Sequence, residues 1–114
     1  MTEQLFTMEV TEAEIHAYAV ISGDDNPIHV DKGAAMAAGL STTCAHGMLV
    51  TGKLFALLQN ERLLSTIPRR TKFNYVNPIS ANEHLEIQVW PDDAGLKVKI
   101  SNEVGLAIKG TIEF

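Results

Sequence analysis

Met48-Leu49-Val50-Thr51-Gly52-Lys53-Leu54-Phe55-Ala56-Leu57-Leu58 is the stretch on which the fold turns. Nearly every residue in it is apolar, with Lys53 the main exception, so the spacing predicts a helix without a wide polar face. Such a helix is buried inside its own domain. Gly52 costs about 1 kcal/mol against alanine in a helix interior, which predicts a close packing partner at that point. After a polar break at 59–62 the pattern changes to period two. Residues 71–76, 85–90, 96–101 and 106–114 each read as strands. Asp92-Asp93-Ala94-Gly95 and Asn102-Glu103-Val104-Gly105 lie between them as turns, which predicts antiparallel neighbours. Helical elements followed by four strands make an α+β domain, with a long helix packed on one antiparallel sheet.

The first half is more varied. Residues 5–10 alternate loosely and suit a short first strand. Thr11-Glu12-Ala13-Glu14 forms a capping box, Thr11 at the N-cap and Glu14 three residues on. The helix it opens should bury Ile15, Tyr18, Ala19 and Ile21 and end near Ser22-Gly23. Residues 24–31 carry Pro27 and form a structured turn rather than a regular helix. Residues 32–38 are alanine-rich and predict a short helix ended by Gly39, with Asp31 as its cap.

At 114 residues the chain suits one domain and is too short for two ordinary ones. A domain of this size buries roughly two-thirds of its unfolded surface, so a real core is feasible. The net charge of −5 argues against a general nucleic-acid binder or a protein bound to anionic membranes. Arg69, Arg70 and Lys72 make the one dense basic cluster and read first as solvated surface. Cys44 is the single cysteine, so neither an intrachain disulfide nor a cysteine-based zinc site can be assembled. Met1-Thr2-Glu3-Gln4 has no basic region and no apolar signal core. No apolar run approaches the length needed to cross a bilayer. The chain reads as cytoplasmic.

The chemistry is concentrated in Ser22-Gly23-Asp24-Asp25-Asn26-Pro27-Ile28-His29-Val30-Asp31 and, further on, His46-Gly47-Met48-Leu49. An acid, a carboxamide and an imidazole share one short turn, and together they can hold and deprotonate one water. Backbone N–H groups at the start of the apolar helix can stabilise an oxyanion. That combination points to water chemistry on a carbonyl compound. It resembles the signature of the MaoC-like, (R)-specific enoyl-CoA hydratase family, which reads S-G-D-x-N-P-[LI]-H-x-D, a helical spacer, then H-G-M-L. Ser22, Gly23, Asp24, Asn26, Pro27, Ile28, His29, Asp31, His46, Gly47, Met48 and Leu49 meet every fixed position. The resemblance covers the first half strongly and the second only in general pattern. It implies the hot-dog fold, a curved sheet wrapped around the central helix, in one domain over residues 1–114. It also implies a homodimer or higher homo-oligomer with joined sheets.

By the same resemblance Asp24 and His29 are the catalytic pair, Asn26 helps hold the reacting water, and the Gly47 N–H binds the thioester carbonyl oxygen. The implied reaction interconverts trans-2-enoyl and (R)-3-hydroxyacyl thioesters of coenzyme A or acyl carrier protein, with no cofactor and no metal. The basic cluster at Arg69, Arg70 and Lys72 would suit the phosphates of such a carrier. Two other classes are a hot-dog acyl-thioesterase and a non-catalytic acyl-binding subunit. Asp24, His29, Asp31 and His46 could also be read as metal ligands, but Asn26 and the helix-start Gly47 fit carbonyl and water chemistry better. His46 reads as structural, His16 and His84 as surface residues, and Cys44 fits no triad spacing. Only residues 59–70 separate the central helix from the next strand, which leaves acyl-chain length unspecified.

Overall fold

A backbone with this pattern must bury one face of a sheet, and the computed structural model, which describes residues 3–114, does so with a single long helix. In chain order the elements are β1 (Gln4–Met8), α1 (Glu12–Ser22), α2 (Pro27–Val30), α3 (Lys32–Ala37), α4 (Gly47–Asn60), β2 (Arg70–Tyr75), β3 (Leu85–Pro91), β4 (Gly95–Ser101) and β5 (Leu106–Glu113). The five strands form one antiparallel sheet in the order β1-β3-β4-β5-β2. The α+β hot-dog architecture expected from the sequence is therefore present.

Local chemistry explains the helix ends. The Thr11 side chain accepts the Glu14 N–H while Glu14 Oε1 accepts the Thr11 N–H at 2.9 Å, so the capping box is complete. Gly23 closes α1 in the left-handed region, φ 77°, and donates to the Ala19 carbonyl at 3.1 Å. Ile15 and Ala19 are buried and Tyr18 is half-buried, but Ile21 is 84% exposed and does not join them. Ile21 lies two and six residues from the buried pair, off their helical face. Residues 24–31, expected as a turn, include one helical turn, α2, with Pro27 at its start, where the missing N–H costs nothing. Asp31 caps α3 through Gly33 N–H and Ala34 N–H.

The core lies between α4 and the inner sheet face. Val50, Leu54 and Leu58 meet Leu85, Ile87, Val89, Leu96, Val98, Ile100, Ile108 and Ile112 in one buried cluster. Each fully buried aliphatic side chain of this kind contributes roughly 1.5–3 kcal/mol. Two expectations about α4 fail. It is covered on one side only, since Met48 is 65% exposed and Gly52 and Ala56 also face outward. A Cβ built on Gly52 meets nothing within 4 Å, so no close neighbour explains that glycine. One sheet can cover only one face of a helix, and an apolar count does not say which face. Strand β2 sits beside β5 and not beside β3. The 76–84 connection leaves the sheet there and bridges Ser80 to Cys44.

Candidate active site

The site is built where α1, α2 and the start of α4 meet the end of β2. Asn26 caps α2, its Oδ1 accepting the Ile28 N–H at 3.2 Å. That cap starts the turn that carries His29, which is only 8% exposed. The Ile28 carbonyl accepts the Cys44 N–H at 3.1 Å, tying the α2 turn to the approach to α4. His29 Nδ1 stands 2.8 Å from the Cys44 carbonyl oxygen, an acceptor, so Nδ1 carries the proton and donates. This assigns the free lone pair of His29 to Nε2. The Cys44 sulfur lies 3.6 Å from the same Nδ1. Burial pushes the Cys44 thiol up, so it is protonated at neutral pH and no ready nucleophile.

His46 is buried at 3% exposure and donates from Nε2 to the Asp24 carbonyl oxygen at 2.8 Å. Its other nitrogen, Nδ1, is closed off from solvent and has no hydrogen-bond partner among the described residues. The ring stacks on His29 with centroids 3.8 Å apart and planes 20° from parallel, and Tyr18 meets its edge at 4.7 Å. The structural role expected for His46 thus has a definite form: it holds the Asp24 backbone and stacks on the His29 ring. The Asp24 carboxylate and ring nitrogens of His29 and His46 lie within 4.8 Å of one another. Stacked imidazoles direct their lone pairs along parallel planes, so the two rings do not converge on a single ion. Asp31, the other candidate ligand, is committed to capping α3.

A cavity of about 460 Å³ opens beside this group, lined by Asp24, His46, Gly47, Tyr18, Tyr75 and Ile79 among others. Asp24 is exposed at its mouth. His29 and Asn26 are not in the wall; His29 stands one ring behind His46. Gly47 is the first residue of α4, and the N-cap His46 gives no side-chain hydrogen bond to the helix. Gly47 and Met48 line the cavity, so the first turn of α4, whose amides have no intrahelical acceptor, brings the positive end of the helix dipole to it.

Sequence reasoning missed Thr51 and Tyr75. Thr51 Oγ1 donates to the Gly47 carbonyl at 2.9 Å, which leaves it to accept from the Tyr75 hydroxyl at 2.8 Å. The Tyr75 ring lies over Gly47, and a Cβ there would stand 2.7 Å from it. Glycine is required at 47 by this tyrosine. Thr51 carried a signal, because a hydroxyl four residues after a helix-start carbonyl commonly bonds back to it. Nothing in the spacing marked Tyr75. Of the surface histidines, His16 pairs loosely with Glu12 at 3.9 Å and His84 is exposed.

Comparison with known proteins bears on the fold and the family. The family model for the MaoC like domain matches residues 2–110. A 52-residue stretch, 46% of this chain, is 38% identical to 3-hydroxyacyl-thioester dehydratase X of Mycobacterium tuberculosis, covering 19% of that protein. A 49-residue stretch, 43% of this chain, is 39% identical to the (R)-specific enoyl-CoA hydratase of Rhodospirillum rubrum, covering 34% of it. These matches span about a third or less of the relatives' length. Among solved structures, the (R)-hydratase from A. caviae superposes with a TM-score of 0.79 over 96% of this chain and 90% of that one, at 24% identity. HtdX from Mycobacterium tuberculosis gives 0.77 at 27% identity over 95% of this chain and 43% of that one. No helix among the described residues is long and apolar enough to cross a membrane.

Proposed function

The chain belongs to the MaoC-like domain family of hydratases and dehydratases, and on that premise we propose that it interconverts trans-2-enoyl and (R)-3-hydroxyacyl thioesters. The observation that carries the reading is the Asp24 carboxylate and the imidazoles gathered within 4.8 Å at a cavity entered by the start of α4. In this reading His29 Nε2 is the working nitrogen. Its Nδ1 is spent on the Cys44 carbonyl, and both nitrogens of His46 are withdrawn, one bonded and one buried. Water gives a proton to the Asp24–His29 pair as its oxygen bonds to C3. The C2–C3 π electrons move toward the thioester oxygen, and the enolate collapses as the pair returns one proton to C2. One proton leaves the water and one reaches carbon, so the pair ends as it began.

The Gly47 N–H would stabilise the enolate oxygen, with no cofactor and no metal in the step. Asn26, whose Oδ1 holds the Ile28 N–H, would offer its amide N–H to the water. Residues 1–114 would act as one domain. Strands β1 and β2 leave the sheet with two edges, which favours a homodimer or higher homo-oligomer joined through them.

Two measurements on crotonyl-CoA test this. Loss of the enoyl absorbance without release of free thiol is the expected result, with (R)-3-hydroxybutyryl-CoA as the product. Release of thiol would replace the reading with a thioesterase, absence of both with an acyl-binding subunit, and (S) product with a different site.

A further inference from the structure

Strands β2, β4 and β5 present a second polar surface on the sheet face turned away from α4. Register fixes it: Lys99 pairs directly with Lys109, and Lys97 and Lys72 flank Thr111 on either side. Trp90 lies beside Lys97, and its ring faces the Lys99 ammonium at 5.7 Å. Together they line an open groove of about 280 Å³. Among the described residues none of the four lysines is within ion-pair distance of a carboxylate. Three acids of the sheet have other neighbours: Glu113 lies 3.5 Å from Arg70 and 3.9 Å from Arg69, Glu3 accepts from Gln88, and Glu86 pairs with Ser101. Like charges directly opposite one another destabilise a sheet. Four of the nine basic residues are thus gathered in a chain of net charge −5, with one ring facing one of them and no carboxylate paired to any among the described residues. A local rule broken with so little compensation marks a surface that is completed by something else.

We infer that this face docks an acidic protein, the carrier domain that presents the acyl thioester. The inference rests on the proposed function and narrows its substrate class. Two features select that occupant. The cations spread across three strands on an open face, which fits the carboxylate-bearing surface of a macromolecule. The groove is also back to back with the active cavity. Asn74 and Lys109 line the groove while their chain neighbours Tyr75 and Ile108 line the cavity. A flexible arm from a carrier on the outer face reaches the cavity by rounding the end of β2, where Val76 and Asn77 form its wall.

The test substitutes Lys72→Gln, Lys97→Gln, Lys99→Gln and Lys109→Gln together, with the Lys99→Gln/Lys109→Gln pair as a milder variant. Binding of an apo acyl carrier protein, which has no arm, is measured by titration calorimetry. It should weaken by about tenfold or more in the quadruple variant and fall steeply with added salt in the parent. Turnover of crotonyl-carrier protein should lose about tenfold in kcat/KM in the quadruple variant, while crotonyl-CoA stays within about twofold in the Lys99→Gln/Lys109→Gln pair. Failure of the parent to bind the apo carrier, or equal binding by the variant, overturns the inference. So does an equal loss on crotonyl-CoA, which would assign the lysines to its phosphates. Binding of a DNA duplex or of anionic phosphatidylglycerol vesicles as tight as that of the carrier overturns it as well. If neither thioester is turned over while the apo carrier still binds through the lysines, the proposed reaction fails and the docking surface stands.

Discussion

Two polar regions of this molecule are built on opposite rules. Between Asp24 and Thr51 five polar side chains are committed to backbone groups: His29 to the Cys44 carbonyl, His46 to the Asp24 carbonyl, Asn26 to the Ile28 N–H, Asp31 to α3 and Thr51 to the Gly47 carbonyl. On the outer face of the sheet, Lys72, Lys97, Lys99 and Lys109 have no such partners among the described residues, apart from the ring contact of Lys99. The first region fixes tautomers and directions before a substrate arrives, as acid–base chemistry requires. The second keeps mobile, hydrated charges, which suits long-range attraction and weak contact. Rigidity of polar groups thus separates a place for reaction from a place for encounter.

The largest effect should come from removing the Asp24 carboxylate or the His29 Nε2, the proposed acid–base pair. Asp24→Asn keeps shape and removes the basic oxygen, and His29→Ala removes the free Nε2. Each should lower kcat on crotonyl-CoA by at least about 10². The double variant should be far less than multiplicatively worse, because the pair handles one proton. Circular dichroism must show that the variants fold. A folded Asp24→Asn enzyme within a few-fold of the parent rate would break the contrast at its centre.

His46 should come next, acting through position. His46→Leu removes the donor to the Asp24 carbonyl and the ring stacked on His29 without removing a reacting group. We expect a loss of ten- to a hundred-fold in kcat with little change in KM, since small displacements of a catalytic group carry penalties of that order. The pH profile should keep its shape. A vanished limb in that profile would mean that His46 itself exchanges protons with substrate.

Gly47→Ala should cost about tenfold, by pushing the Tyr75 ring off the start of α4 and not by removing an N–H. The same change in a Tyr75→Ala background should then be nearly neutral in kcat/KM. A full penalty in that background would move the cause to the substrate itself. The dependence on Tyr75 shows what the chain conceals. Caps, turns and the strand pattern follow from local chemistry, and Asp24, Asn26, His29 and Gly47 stand out because their types and spacing already suggest water and an oxyanion. The stacking of His29 on His46, the Tyr75–Thr51 clamp and the place of β2 beside β5 are contacts between distant segments, which no local periodicity encodes. The exposed side of α4 is hidden for the same reason, since its apolar residues look alike until the sheet chooses a face.

A smaller effect tests how the rigid region is held. Lys53 on α4 donates to Glu14 on α1 at 2.8 Å, and that bond, with the Thr11 N–H, holds the Glu14 carboxyl below its ordinary range. A carboxyl lowered on folding contributes stability above its unfolded pKa and loses it as pH falls through the folded one. Glu14→Gln keeps a capping-box residue and removes the charge. The parent should exceed this variant by less than about 1 kcal/mol at pH 7, because the pair is partly solvated. The gap should narrow as pH falls through the ordinary carboxylate range and close once the folded carboxyl is protonated. A gap that persists there would assign the effect to cap geometry and not to charge.

The smallest effect bears on the lysine-bearing face and has the opposite sign. If the lysines are kept for encounter, their crowding should cost stability. Lys109→Thr removes one member of the Lys99–Lys109 pair and leaves the Lys99 contact with Trp90 in place. Threonine also suits a strand, so backbone propensity adds to the gain. At low ionic strength the urea midpoint should rise by the equivalent of about 0.2–1 kcal/mol. In high salt the repulsive part should disappear, because the Debye length shrinks to about 3 Å at 1 M. What survives there measures propensity alone, and the difference between the two salts measures the crowding. A variant no more stable at low salt than at high would mean that water already screens the pair. The outer face would then carry its lysines at no cost, and the tension from which its partner is inferred would be absent.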